Sequence, residues 1–283
     1  MQSTRNTNKN LLYSLMLLII GAVIGSVVTL YLFITITGGT ATPSEPISAP
    51  TLSLDSVAPT IQATAEPVEA VVVIEPENPT PEPTSISEPG VEVVQPSPTP
   101  LAPQLFRIVS AESEARFSVY ETFPEGTAVG RTNQIAGDLI VDFINPANSQ
   151  LGTVRINLRT LQTDDPDRDK SIRCCVLLTA QDQYEFADFV PVSLLDLPAQ
   201  VQVGQPVTFR VTGDLTVRGT TQAVTFEIEL MPVSQSELHG LATTVVNRSD
   251  FGILNNDENG FDYHGVVEEI TLEFDFVARA VPQ

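Results

Sequence analysis

Apolar residues recur at every second position through most of the C-terminal two thirds of this chain, and that period dictates strands. In VTFRVTGDLTV (207–217) Val207, Phe209, Val211, Leu215 and Val217 alternate with mostly polar residues, and VTFEIEL (224–230) repeats the pattern through Val224, Phe226, Ile228 and Leu230. ITLEFDFVA (270–278) sets Ile270, Leu272, Phe274, Phe276 and Ala278 on one side. Shorter runs do the same: Phe117 and Val119 in ARFSVY, Leu139, Val141 and Phe143 in GDLIVDF, and Val154, Ile156 and Leu158 in TVRINLR. A period of two puts alternate side chains on opposite faces, so each run has one dry and one wet face, the mark of antiparallel strands. Turn-forming stretches, RGTTQ (218–222), PAQVQVGQP (198–206) and NPANSQ (145–150), lie between the runs. Only 164–190 lacks clean alternation and has room for a short helix. The expectation is an all-β domain over 105–283, and many antiparallel strands with one apolar face favour a barrel.

Upstream the composition changes twice. Residues 1–10 carry Arg5 and Lys9 and no acid, and the 27 residues from Leu11 to Thr37 have no charged side chain. As a helix they would extend roughly 40 Å, enough to cross a hydrocarbon core of ~30 Å with some tilt. A cleaved signal peptide has a shorter apolar region and a better cleavage site than Thr40-Ala41-Thr42, so a retained signal anchor is expected. Basic flanks stay on the cytoplasmic side, which makes 1–10 cytoplasmic and the remainder extracytoplasmic. Residues 38–104 hold 14 of the 22 prolines, nine acids and no Lys or Arg. Such a stretch cannot bury enough apolar surface to offset its ordering entropy and reads as a disordered stalk, with AVVVIE (70–75) as a slightly sticky piece of it.

The motifs of 105–283 resemble the YceI-like family of lipocalin-like, polyisoprenoid-binding proteins. The matching stretches run in order: SEARFSV (113–119), a glycine before the third strand in IAGDLIVDF (135–143), RTLQTDDPDRDKSIR (159–173) with its Arg168-Asp169 pair, GDLTVRGTTQAV (213–224) and NRSDFG (247–252). The resemblance implies an elongated eight-stranded antiparallel barrel, closed partly by a helix, with a long apolar pore that holds an isoprenoid chain. The sequence departs from the usual pattern after Arg168-Asp169, where it reads CCVLLTAQDQYEFADFVP (174–191).

Several constellations invite a chemical reading. Asp165, Asp167 and Asp169 share the spacing of a calcium loop, but the positions that need Gly and a bidentate Glu hold Lys170 and Val176. The alternating charges around Pro166 look solvated, which argues against paired catalytic carboxylates; Asp165 or Asp167 as an N-cap, and Arg168–Asp169 pinning a helix start, is the structural reading. His239 and His264 are the sole histidines and read as surface residues rather than metal ligands. Adjacent Cys174 and Cys175 can form a strained vicinal disulfide in an oxidising compartment, but neighbouring Cα atoms lie closer than ordinary disulfides require, and two reduced, small apolar packing residues is the favoured reading. Within NRSDFG, Arg248 and Asp250 read as turn contacts between strands. With 12 basic against 26 acidic residues, 105–283 would repel nucleic acid. No cofactor, metal or catalytic residue is expected.

The resulting expectation is a tethered barrel that shelters an isoprenoid or another long-chain lipid, for storage or transport. Pore-lining candidates are Phe117, Val119, Leu139, Val141, Ile156, Leu158, Phe209, Val211, Phe226, Ile228, Phe274 and Phe276; Arg168, Arg173 or Arg248 would meet an anionic headgroup. The alternatives are a filled barrel that serves as a display or interaction module and, further off, a metal-dependent hydrolase.

Overall fold

A computed structural model describes residues 3–37, 41–54, 102–122, 125–254 and 265–282. The first helix, α1, covers Ser3–Thr37. The alternating runs fold as twelve strands: β1 (Gln104–Ile108), β2 (Glu114–Thr122), β3 (Glu125–Thr132), β4 (Ile135–Ala136), β5 (Asp138–Val141), β6 (Gln150–Leu151), β7 (Val154–Asn157), β8 (Phe186–Leu195), β9 (Val207–Val217), β10 (Thr220–Ser234), β11 (Glu237–Asn247) and β12 (Val266–Ala280). All pairings are antiparallel and belong to one curled sheet. The stretch 164–190 supplies the short helix α2 (Pro166–Ser171) and a π-helical turn, Ile172–Val176.

Several of the short strands are fragments of longer antiparallel runs. β1 and β2 pair with opposite halves of β12, and the turn at 110–112 separates them. β3, β4 and β5 follow one another along that run: β2 pairs with β3, and β1 with β5. The break at Gly137 is where the sheet closes. β4, just before it, pairs with β7, while β5, just after it, pairs with β1, so one stretch of seven residues bridges both ends of the sheet order. Counted as runs there are eight. Counted as strands there are twelve, because the kinks interrupt the hydrogen-bond ladder.

Two glycines set how closely the inner face packs. A Cβ at Gly130 would run into the ring of Phe117 across the β2–β3 pair, and one at Gly240 would meet the ring of Phe276 across β11–β12. Bare backbone opposite each ring lets it lie down along the sheet. The buried core includes Phe106, Ile135, Val211, Leu238 and Ala278, with Phe117, Phe209, Phe226, Leu272 and Phe274 partly exposed although they face inward.

The two cysteines differ from expectation. Cys174 and Cys175 are joined by a disulfide within the π-helical turn, their Cα atoms 3.7 Å apart, so the reading of two reduced thiols is corrected. The usual Cα range describes bridges between separate segments. Neighbours here close the bond inside a turn whose Leu177 N–H reaches back to Ile172 O. The helix start follows expectation at its cap and differs at Arg168–Asp169. Asp165 caps α2, accepting from the Asp167 and Arg168 N–H groups. Arg168 and Asp169, adjacent on a helix, point apart: Arg168 pairs with Asp164 and Glu121, and Asp169 accepts from Thr163.

Residues 41–54, inside the stretch expected to be stalk, lie against the barrel. Thr42 O accepts from Arg159 at 3.2 Å, Ser44 N donates to Glu185 at 2.9 Å and Leu52 N donates to Asp138 at 3.2 Å. AVVVIE (70–75) and His264 fall outside the described residues.

Candidate functional site

Inside the barrel is a cavity of about 490 Å3. Its wall includes all twelve pore-lining candidates. The strand register explains how residues far apart in sequence meet there. Phe209 sits opposite Ile228, and Val211 opposite Phe226, on β9–β10. Ile228, Ala242 and Phe274 form one row across β10, β11 and β12. Leu272 and Ile270 continue onto Phe117 and Val119 of β2. Phe189 and Phe226 meet edge to face with centroids 5.0 Å apart, and Phe274 stacks on Phe276 at 5.1 Å. Both contacts fall within the range where aromatic pairs attract.

The cavity extends toward both ends of the strands. At one end it reaches Val217, Val246 and Val266, and α2 with the π-helical turn lies across it through Ser171, Ile172 and Val176. At the other it reaches Val141, Val207 and the loop residues Leu197, Pro198 and Val201. Val201 N–H donates to Phe143 O, which fastens that loop over the opening.

Four polar residues of the wall, Glu121, Arg168, Ser171 and Arg248, lie near the α2 end. Arg168 lies on the wall and forms an ion pair with Glu121 at 3.3 Å and with Asp164 at 2.6 Å. Arg248 also touches the wall, but its guanidinium is buried and committed, donating to Ile253 O at 2.7 Å and Val267 O at 3.3 Å. Hydrogen bonds from the Ser249 hydroxyl and N–H hold its neighbour Glu268 below the usual carboxylate range. Arg173 is not on the wall and donates to Leu161 O at 2.8 Å. Asp169 caps Thr163, and Asp250 is occupied at its turn, accepting from Asn247 by its side chain and from Gln222 by its carbonyl. Of the three candidate arginines, only Arg168 is both on the wall and half-accessible.

Arg116 and Glu273, which the wall also includes, pair at 2.8 Å across β2–β12. That hydrogen bond raises the Arg116 guanidinium and lowers the Glu273 carboxyl. His239 faces solvent on β11 beside Glu237 at 2.8 Å. Among the described residues no group of three His, Cys, Asp or Glu is placed to hold a metal ion.

One buried polar cluster was not foreseen. Arg159, with 3% of its side chain exposed, donates at 2.8 Å to Glu185, whose side chain is fully buried. Glu185 also accepts from Asn157 at 2.8 Å, and Arg159 reaches Thr179 O, Ala180 O and Asp182. Paired and multiply hydrogen-bonded charges are tolerated inside a protein, whereas single ones are not. Arg159 lies in the single turn Leu158–Thr160 that follows β7, and nothing local signals that 179–185 and Thr42 cover it.

Residues 106–278 match the YceI-like domain family. A UPF0312 protein of Vibrio parahaemolyticus is 30% identical over 129 residues, 44% of this chain and 64% of that relative, short of two thirds of its length. Among solved structures, BcnA of Burkholderia cenocepacia aligns with a TM-score of 0.49 at 17% identity, covering 60% of this chain and 98% of BcnA. A polyisoprenoid binding domain from Saccharophagus degradans aligns with a TM-score of 0.46 at 13% identity, covering 62% and 98%. The family match spans more than half of the sequence, and the chain belongs to the YceI-like family.

Proposed function

We propose that this protein is a lipid-binding protein that shelters the long apolar chain of an isoprenoid or similar amphiphile within its barrel. The observation that carries the reading is the cavity, lined by Phe and aliphatic side chains and sized within the roughly 300–1,000 Å3 typical of ligand pockets. Each Å2 of apolar surface moved out of water contributes about 25 cal/mol, so a hydrocarbon chain lying along this wall gains steadily with its length. Arg168, at the α2 end, is the residue that would face an anionic headgroup, exchanging part of its pairing with Glu121 for the ligand. The isoprenoid class follows from the motif resemblance, and the cavity supports the broader class of apolar chains. Binding rather than catalysis is the proposed activity.

The same reading places the barrel outside the cytoplasmic membrane, tethered by α1. The uncharged run from Leu11 to Thr37 supports a membrane span, as does the exposure of its side chains, with Leu17 71% and Leu18 70% exposed. Hydroxyls within it are satisfied by the helix itself: Ser26 donates to Val23 O and Thr29 to Gly25 O. Among the described residues no helix is long and apolar enough to cross a membrane, the continuous described side chains of α1 running only over 15–29. The tether therefore rests on the sequence of the whole run.

The test is uptake of a fluorescent polyprenol by delipidated protein. Saturable uptake, competed by unlabelled polyprenol, is the expected result. Absence of uptake would favour the filled-barrel display module instead.

A further inference from the structure

We infer that the segment 41–54 is a strap that holds the α2 end of the barrel against the membrane, so that a lipid enters the cavity directly from the bilayer. The inference rests on the reading of α1 as a membrane span and adds the orientation, which that reading leaves open. A stalk of the length implied by 38–104 would let the barrel roam far from the bilayer, but the first point of attachment comes almost at once.

Covalent geometry sets the limit. Five residue steps separate Thr37, the end of α1, from Thr42, whose carbonyl accepts from Arg159. Whatever path they take, those steps span at most about 18 Å at ~3.6 Å each. Ser44 N–H then donates to the fully buried Glu185 carboxylate. Leu52 N–H donates to Asp138, and the Leu52 side chain packs where Gly152 has none. Both polar partners at the first attachment are otherwise buried, and the strap completes their hydrogen bonding. That gives it a defined seat rather than a chance contact.

Arg159 and Glu185 lie at the α2 end. Glu185 directly precedes β8, whose first residues pair with the last residues of β9, and Tyr184 meets Gly219 in the β9–β10 turn. The opposite end, at the β10–β11 turn near Gln235, lies the length of β10 away. Its 15 residues correspond to about 35 Å of barrel height at ~3.3 Å per residue and a ~40° tilt. An inverted barrel would hold Arg159 beyond the reach of the five steps. The far rim does expose Ile144, Val203 and Val233, comparable with Tyr120, Val245 and Leu254 at the α2 rim. Inversion is therefore the competing orientation, and it requires the strap to leave its seat.

The test uses the full-length protein in vesicles of phosphatidylethanolamine and phosphatidylglycerol containing a headgroup-spin-labelled lipid. One fluorophore is placed on Gln183→Cys, exposed beside the strap's seat, and in a separate variant on Gln235→Cys at the far turn. Retention after an alkaline carbonate wash reads the membrane span by itself; protein washed off overturns both the span and the orientation. With the protein retained, stronger quenching at 183 than at 235 is expected. Equal quenching, a barrel on its side, or stronger quenching at 235 overturns the orientation while the span stands. Ser44→Pro with Leu52→Asp removes the Ser44 N–H donor and the Leu52 apolar contact, both from exposed or half-buried positions, and should abolish the difference between the two probes. A difference that persists in that variant would show that the strap is not what holds the barrel.

Discussion

Ala242→Phe separates an empty pore from a filled core. Ala242 lies on β11 between Ile228 and Phe274, its Cβ on the cavity wall. In a close-packed core, adding a ring forces strained side chains and typically costs about 1–3 kcal/mol. Here the ring enters a space of about 490 Å3 beside Phe274. It would bury on the order of 150 Å2 of apolar surface, worth up to ~4 kcal/mol at ~25 cal/mol per Å2. Lost rotamer freedom and imperfect contact remove about 1–2 kcal/mol or more of that. The variant is therefore expected to be at least as stable as the parent in urea, and to take up much less fluorescent polyprenol. Destabilisation of about 2 kcal/mol with unchanged uptake would refute the reasoning, because it would mean that position 242 faces packed side chains and that the ligand sits elsewhere.

Further outcomes follow from other features. Arg159→Met leaves the fully buried Glu185 without its main partner and should cost about 3–5 kcal/mol by urea unfolding, against near neutrality for Arg131→Met on the surface. Burial pushes the Asp142 carboxyl up, but N–H groups of Asn145 and Ile144 and the Asn148 amide outweigh it and hold it below its usual value. Arg116 lowers Glu273 as well. Both groups bind protons more weakly in the folded state, so their stabilisation is complete above the unfolded value and is lost as pH falls through the folded one. The Tm should be level near neutrality and drop below about pH 4, and Asp142→Asn should flatten that drop. A thiol reagent should titrate no cysteine in the unreduced, denatured protein and two after reduction; two free thiols beforehand would contradict the bridge at 174–175.

How much was legible in the sequence differs by feature. The strands were, since alternation marks them, and all twelve candidates lie on the cavity wall, but Ile140 lies there as well, between Leu139 and Val141, and Phe143, which alternation sets beside them, does not. The barrel's breaks were not. Whether Gly137 continues a strand or lets it change partners depends on β1 and β7, which flank it in space from distant parts of the chain. Asp165 as N-cap was readable from local hydrogen-bonding chemistry, but the partners of Arg168 were not, because Glu121 is supplied by β2. The same limit hid the Arg159–Glu185 pair and the seat of Ser44. In each case the residue that decides burial lies far away in sequence, and composition describes 41–54 as proline-rich linker whether or not a surface awaits it.

The central claim is that the cavity holds a lipid chain, and native mass spectrometry of the full-length protein purified from its native cells tests it most directly. One bound lipid per protein, with a mass assignable to a prenyl chain, is the expected result. A bound lipid of another class would remove the isoprenoid assignment and keep lipid binding. Protein that carries no lipid, and takes up none when a polyprenol is offered, would contradict the claim itself.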